Sequence, residues 1–561
     1  MTKSRRASLI PGSAYLAVAS ALAVLIAVLP RTGNQSPPPT IAEFAPQAAN
    51  EVRHALAPQS SNTGKGAGAC VEGQVCEGGP SATPSPEGQR TIEVPKTQCV
   101  IFGSVVLQTE DPQSPSCAPP FREKVHKSLS KGIDDDGTIR VAVPDVPFEK
   151  RNEIDLLFAY FNKRFEFYGR KLEPVHFIVG VLNGPPSPAT EEEHADDVDQ
   201  TYHAFASLTY AGQSGAEQYY YDELARKGII SVAHRAGAKT TDAYLRGFGP
   251  YRWAVLPGIE TMQAHMAEMV CKVLAGRAPE YAGPGVSAAK RTFGLIYGRA
   301  SDGTKPDLTI FRHYVGQHCG GIATGADVEF EQTSDQAQTA SRATNAMLKM
   351  IQANVTSVIC FCESGDVSGP LMQAASGEQY RPEWIVSTYI DNDVDNSYSR
   401  APTDQSGHVI GVTFRNKWLS RDQMFWFKAL QEFAPPGSIE PIDAYPMTAR
   451  YSSLLLLASG IQLAGPDLTP ASFARGLLGA TFPNPYDGGA PYYEARVGFD
   501  HDAHTMIHDA TMFWFSQSDT GHYDTSNVGR VCYVDKGKRY RLGSWPSQAQ
   551  FYAADCGDTY S

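Results

Sequence analysis

Apolar residues in the middle of this chain recur with two periods, and the two alternate. Thr138-Ile-Arg-Val-Ala-Val-Pro144 reads as a strand, after which Ile154, Leu157, Phe158, Phe161 and Phe165 fall at helical spacing. Strand-like runs follow at 175–179, 203–209 and 229–232, with a helix at 215–227 carrying Tyr219, Tyr220 and Tyr221. Residues 251–257 read as an extended crossover ending in Pro-Gly. A helix at 261–274 and a strand at 292–297 then open a second block of the same kind. Its strands are predicted near 328–332, 356–362 and 383–388, with the clearest helix at 340–351. The long helix 444–463 returns to the first block, and 496–499 with 510–515 form a last strand pair. Strands alternating with helices predict parallel sheets covered on both faces. The expected fold is therefore α/β, with two Rossmann-like lobes of parallel sheet joined by hinge crossovers. Ligand sites lie outside the carboxyl ends of such strands, and two lobes in tandem form a cleft.

The ends of the chain read differently. Lys3, Arg5 and Arg6 precede the apolar run from Ala14 to Leu29, which is near the roughly 17–25 residues of a short membrane span. Leu29-Pro-Arg31 offers no small-x-small cleavage site, so residues 1–33 read as an uncleaved signal anchor first and a cleaved signal peptide second. The basic flank keeps this end in the cytoplasm and the folded part outside it, at the cell membrane. Residues 34–133 are rich in Pro, Ala, Ser and Gly and read as a disordered linker. Lobe 1 is then assigned 134–257 and 391–495, and lobe 2 258–390 and 496–561 with the carboxyl tail. Ten cysteines in an exported chain point to disulfides. Cys70/Cys76, Cys99/Cys117 and Cys532/Cys556 are plausible pairs. Cys360 and Cys362 face one way along a strand, so buried thiols and a bridge to Cys271 or Cys319 both stay open. The 561 residues carry a net charge of −12, which argues against a nucleic-acid partner.

Motif chemistry is weak. Gly298-Arg-Ala-Ser-Asp-Gly-Thr-Lys305 resembles a phosphate loop, but its lysine follows the threonine and Asp302 would repel phosphate. His501, His504 and His508 with Asp500, Asp502 and Asp509 suggest a zinc site and, as the alternative function, a metal-dependent hydrolase. Strand-like flanks would splay those rings, so a polar turn is preferred. Asp391-Asn-Asp-Val-Asp-Asn396 begins like a calcium loop without its glycine or its final glutamate. No G-x-S-x-G elbow and no G-x-G-x-x-G after the first strand are present. No catalytic residue, metal ligand or cofactor is assigned.

What remains is a set of polar and aromatic residues at strand carboxyl ends. They are Asp145 and Phe148; Tyr210, Gln213 and Ser214; His234 and Arg235; then Asp302, Glu363, Ser364, Tyr389 and Asp391. Together they are the candidate ligand-binding set for a small polar organic molecule. Residues 134–515 also resemble type I periplasmic solute-binding proteins, the leucine/isoleucine/valine-binding branch of ABC-transporter receptors, in a membrane-tethered actinobacterial form. The likeness rests on Tyr160-Phe-Asn-Lys-Arg-Phe-Glu-Phe-Tyr-Gly-Arg-Lys171, on 251–257, on Thr356-Ser-Val-Ile-Cys-Phe-Cys362 and on Tyr380-Arg-Pro-Glu-Trp-Ile-Val386. The resemblance implies a receptor that closes on its ligand and is read by a permease, not an enzyme. It implies Ser214 for a ligand carboxylate and Asp391 or Glu363 for an ammonium. His234-Arg235 stands where the family has small residues, so a more acidic ligand pairing with Arg235 is expected. A cell-surface sensor module without transport is the other alternative.

Overall fold

A computed structural model describes the strands within 90–108, and residues 113–115, 121, 130–145, 151–179, 187–208, 217–236, 240–299, 303, 305–389, 391–435, 438–439, 444–479, 495, 497–499, 503–523 and 527–557. Within these the chain builds two α/β lobes. The first sheet has five parallel strands in the order β5-β4-β6-β7-β8. They are β4 Thr138–Asp145, β5 Lys171–Ile178, β6 Ala206–Ser207, β7 Ile230–Ala233 and β8 Arg252–Ala254. Alternation along β4 explains its double burial. Ile139, Val141 and Val143 join the core beneath the helix Arg151–Arg164, while Ala142 joins the opposite core with Phe177, Val198 and Tyr220.

The second sheet runs β10-β9-β11-β12-β13-β14-β15. Its strands are β9 Phe293–Gly298, β10 Asp327–Phe330, β11 Ser357–Phe361, β12 Glu383–Ser387, β13 Val409–Thr413, β14 Thr511–Thr520 and β15 Val528–Tyr533. The first five are parallel, and β14 and β15 add antiparallel. In both lobes the chain starts in the second strand of the order, steps to one edge, then jumps back across. Each lobe therefore has a topological switch point, between β4 and β6 and between β9 and β11.

The segment 391–413, expected in lobe 1 as the start of 391–495, leads into β13, which pairs with β12 in the second sheet. The return falls after β13, where the helix Phe425–Phe433 packs on Arg151–Arg164 and Glu432 pairs with Lys163 and Arg164. Residues 497–507 stay with the first lobe, through a parallel bridge of Ala254 to Thr505. Val497 pairs with Ile507 rather than with a strand at 510–515, and β14 pairs with β13 and β15. The crossover at 251–257 begins as the edge strand β8. The linker also holds order: β1 Arg90–Val94, β2 Thr97–Phe102 and β3 Val105–Gln108 form an antiparallel sheet, built from β-branched runs. Gln113, buried beyond it, donates to Asn416 Oδ1 at 3.1 Å and to Ala495 O at 3.2 Å.

Long helix Ala444–Ala464 covers the first lobe, and Phe473 of the next helix sits against Gly460, where a Cβ would come within 2.2 Å of its ring. Disulfides join Cys271 to Cys319, Cys360 to Cys362, and Cys532 to Cys556. Cys360 and Cys362 thus bridge each other, not Cys271 or Cys319. Residues 1–33, the Cys70/Cys76 pair and the side chains of Cys99 and Cys117 lie outside the described residues. No helix among the described residues is long and apolar enough to cross a membrane.

Candidate functional site

The carboxyl ends of the two sheets meet at one polar junction. His234 and Arg235 follow β7 of the first lobe, and Arg415 follows β13 of the second. Arg415 Nη1 lies 2.9 Å from His234 Nε2. Burial, then the charges of Arg415 and Arg235, holds the His234 ring well below its ordinary pKa. The neutral ring therefore accepts at Nε2 from the guanidinium. Arg415 also donates through Nε to Asp393 Oδ1 at 3.0 Å and through Nη2 to Asp391 Oδ1 at 2.7 Å. Arg235 Nη1 stands 3.5 Å from the other Asp391 oxygen, an ion pair between the lobes. Tyr445, from the long helix, lays its ring 4.8 Å from the Arg415 guanidinium and edge-on to His234.

Asp391 reaches this position through left-handed backbone, φ 63°, which a short polar side chain tolerates. Ser397 Oγ holds the turn by donating to Asp391 O at 2.7 Å. Thr388 Oγ1 and Thr413 Oγ1 both donate to Asp393 Oδ2, so that carboxylate is fully engaged.

Beside the junction lies the second lobe's switch point. Asn392 Nδ2 donates to Cys362 O at 2.8 Å and to Tyr389 O at 2.6 Å, tying the turn after β12 to the turn after β11. Glu363 is exposed there, and Ser364 O accepts from Ser368 Oγ at 2.7 Å. Tyr389 is buried, with its ring 6.2 Å from Phe361. One turn on, Asp366 is buried too, and its carboxyl is pushed up to about 7 by burial and then by the neighbouring Glu363.

Of the predicted set, His234, Arg235 and Asp391 come together directly. Glu363, Ser364 and Tyr389 stand on the turns that Asn392 ties together. Asp145 ends β4, with its side chain outside the described residues, as are Phe148, Tyr210, Gln213, Ser214 and Asp302. Arg415, Asp393, Tyr445 and Asp366 were not foreseen. Arg415 lies two residues past a strand the pattern reading did not find, and Asp366 lies one residue past the loop it singled out.

Other motifs resolve into structure. Lys305 pairs with Glu329 at 2.7 Å instead of waiting for phosphate. Asp391, Asp393 and Asp395 do not converge as a calcium loop would require: the third accepts from the His522 ring and from Val531 N. His504 Nδ1 bonds Arg252 O at 2.9 Å and its ring stacks on Trp253, whereas His508 Nε2 bonds Gly498 O at 3.0 Å. His501 lies outside the described residues.

No protein-family model matches the chain, and no curated protein does. Solved structures of similar arrangement are solute-binding proteins. One, an ABC-transporter solute-binding protein from R. palustris in complex with 4-hydroxybenzoate, has TM-score 0.48 and 12% identity, covering 73% of this chain and 98% of its own. A type 1 periplasmic binding protein from Bordetella pertussis Tohama I has TM-score 0.44 and 14% identity, over 68% and 97%. An ABC-transporter substrate-binding protein from Aeropyrum pernix has TM-score 0.47 and 13% identity, over 75% and 98%. Likeness at this level says nothing of what this chain binds.

Proposed function

We propose that the chain is an extracytoplasmic solute-binding receptor that captures a small polar organic ligand, amino-acid-like or acidic, between its lobes. The reading has it held at the cell membrane by its amino-terminal run and serving an ABC-transporter permease. The observation that carries it is the junction of His234 and Arg235 with Asp391 and Arg415. It lies where the carboxyl ends of two parallel sheets face each other, the position at which such sheets bind ligands. Burial of charged groups there, at a seam that a hinge could open, suits capture of a polar solute better than a permanently sealed interface. Three disulfides among the described residues support an oxidising compartment.

Thermal-shift screening of the full chain against amino acids, amides and small carboxylic acids tests the reading. A ligand at about 100 times its Kd stabilises the folded state by about 2.7 kcal/mol, a readily measured rise in Tm. A flat response to all three classes overturns it.

A further inference from the structure

Cys360 and Cys362 close the shortest loop of the three disulfides among the described residues, with a sequence separation of 2 against 24 and 48. Loop-closure entropy grows with the logarithm of loop length, so this bridge constrains the unfolded chain least. Both cysteines are buried, at and just past the carboxyl end of β11. Their side chains share one face of the strand, and Phe361 between them turns to the other, against Phe311 and Tyr389. The bridge also shortens the strand. Its Cα atoms stand 5.2 Å apart, where two extended steps span about 6.4–6.8 Å.

The shortening falls where two ladders part. β11 pairs with β9 as far as Phe361 and Tyr297, but with β12 only as far as Ile359 and Ile385. β12 runs on beside β13 to Ser387 and Val412. The gap that opens past Ile359 is bridged by Asn392, whose Nδ2 donates to Cys362 O at 2.8 Å and to Tyr389 O at 2.6 Å. Tyr398 Oη, 3.1 Å from Asn392 O and from Asn392 Oδ1, steadies that residue. The residue before it, Asp391, carries the ion pairs to Arg235 of the first lobe and Arg415 of the second. The disulfide therefore stands one hydrogen bond and one peptide step from the contact between lobes.

We propose that Cys360–Cys362 is a redox switch acting on the lobe junction: oxidised, it draws Cys362 O to Asn392 and so holds Asp391 in place; reduced, it releases both. The step is thiol–disulfide exchange with a dithiol. One thiolate of the dithiol attacks a bridge sulfur, and the other cysteine leaves as thiolate. The second thiol of the dithiol then resolves the mixed disulfide. Two electrons and two protons pass from the dithiol to the cysteines, and the dithiol becomes a disulfide. Burial routes the attack through local opening of this strand end. Once the bond is cut, the strand regains its extended step, a displacement of about 1.2–1.6 Å at Cys362. A hydrogen bond of 2.8 Å does not survive a shift of that size. The switch concerns the latch, whatever the cleft binds, so it can fail while the receptor reading stands.

The test incubates the full chain in buffers of reduced and oxidised dithiothreitol. Free thiols are trapped by alkylation and located by peptide mass spectrometry, and amide exchange is measured on the same samples. The expected result is that Cys360 and Cys362 become alkylated while circular dichroism shows the fold intact. Exchange then speeds by about 2- to 10-fold at 389–398, and also at 234–236 across the seam, the scale of one lost hydrogen bond. Reoxidation reverses both changes. The double variant Cys360→Ser with Cys362→Ser, which keeps the other two bridges, shows the faster exchange without reductant. A 360–362 bridge that opens only on unfolding overturns the proposal, as does prior opening of Cys271–Cys319 or Cys532–Cys556. So does its opening with exchange unchanged at 389–398 or at 234–236, because the bridge would then be a local fastening with no reach to the junction. The wild-type titration needs no variant, so a misfolded double variant would not shield the proposal.

Discussion

Arg415 holds three partners with one guanidinium, and all of them are buried. Its charge is matched by Asp391 and Asp393, and the neutral His234 accepts the remaining donor. Removing it strands two carboxylates in a poorly solvated seam. Arg415→Met, which keeps much of the volume, is expected to lower unfolding free energy by about 3–5 kcal/mol, read from the denaturant midpoint. A loss below about 1 kcal/mol would mean the seam is wet and the network weak. At this scale the sequence was partly legible. His234, Arg235 and Asp391 were visible because they follow predicted strands and are polar. Arg415 was not, because its meaning depends on a strand that ends at Thr413. Asp391 was visible as an acid, but its pairing with Arg235 and Arg415 was not, because both partners are distant in sequence.

Elements with clean periodicity were the legible ones. The helix Arg151–Arg164 and strands β4, β9, β11 and β12 lie where the apolar spacing puts them. β13 escaped because Val409-Ile-Gly-Val-Thr413 is short and broken by Gly411, whose missing Cβ is what lets Val386 O approach to 2.1 Å of that position. The sheet at 90–108 escaped because composition was read over a hundred residues while the alternation is local. The carboxyl tail gives no periodic signal, and its role is set by tertiary contacts alone. Arg539 donates to Phe414 O, Arg415 O and Asp509 O and pairs with the Asp509 carboxylate, so it grips two stretches where the chain passes between lobes. Lys417 Nζ donates to Lys536 O and Gly557 O. Cys532–Cys556 closes this segment over a separation of 24 residues. Loop entropy of that length stabilises by about 3 kcal/mol. Cys556→Ser is expected to lose about that much and to speed amide exchange through 534–557 and at 414–418. Exchange confined to the last residues would show that the tail is an ornament on the lobe, not a brace on the crossings.

Whole-molecule behaviour follows from what links the lobes, which among the described residues includes the junction and the chain crossings. The two lobes are connected at 255–258, near 414–418 and near 508–510, and the tail stiffens the latter two. At the first, Leu256 N donates to His234 O and Ile507 N to Val255 O. Opening must therefore bend backbone that Arg539 already holds, and it must also break the contacts of Arg235 with Asp391 and of His234 with Arg415. The second cost is the tunable one. Both ties begin on neighbouring residues of the first lobe, so the double variant His234→Ala with Arg235→Ala removes them while leaving Arg415 its two carboxylates within the second lobe. If the junction sets the resting angle, the ligand-free variant has a larger radius of gyration by small-angle scattering than the wild type, at unchanged secondary structure. An identical scattering curve assigns the angle to the braced crossings instead. In that case lobe closure would not be where this protein stores its response to a ligand, because a hinge that does not relax when its latch is removed has no second state for binding to select.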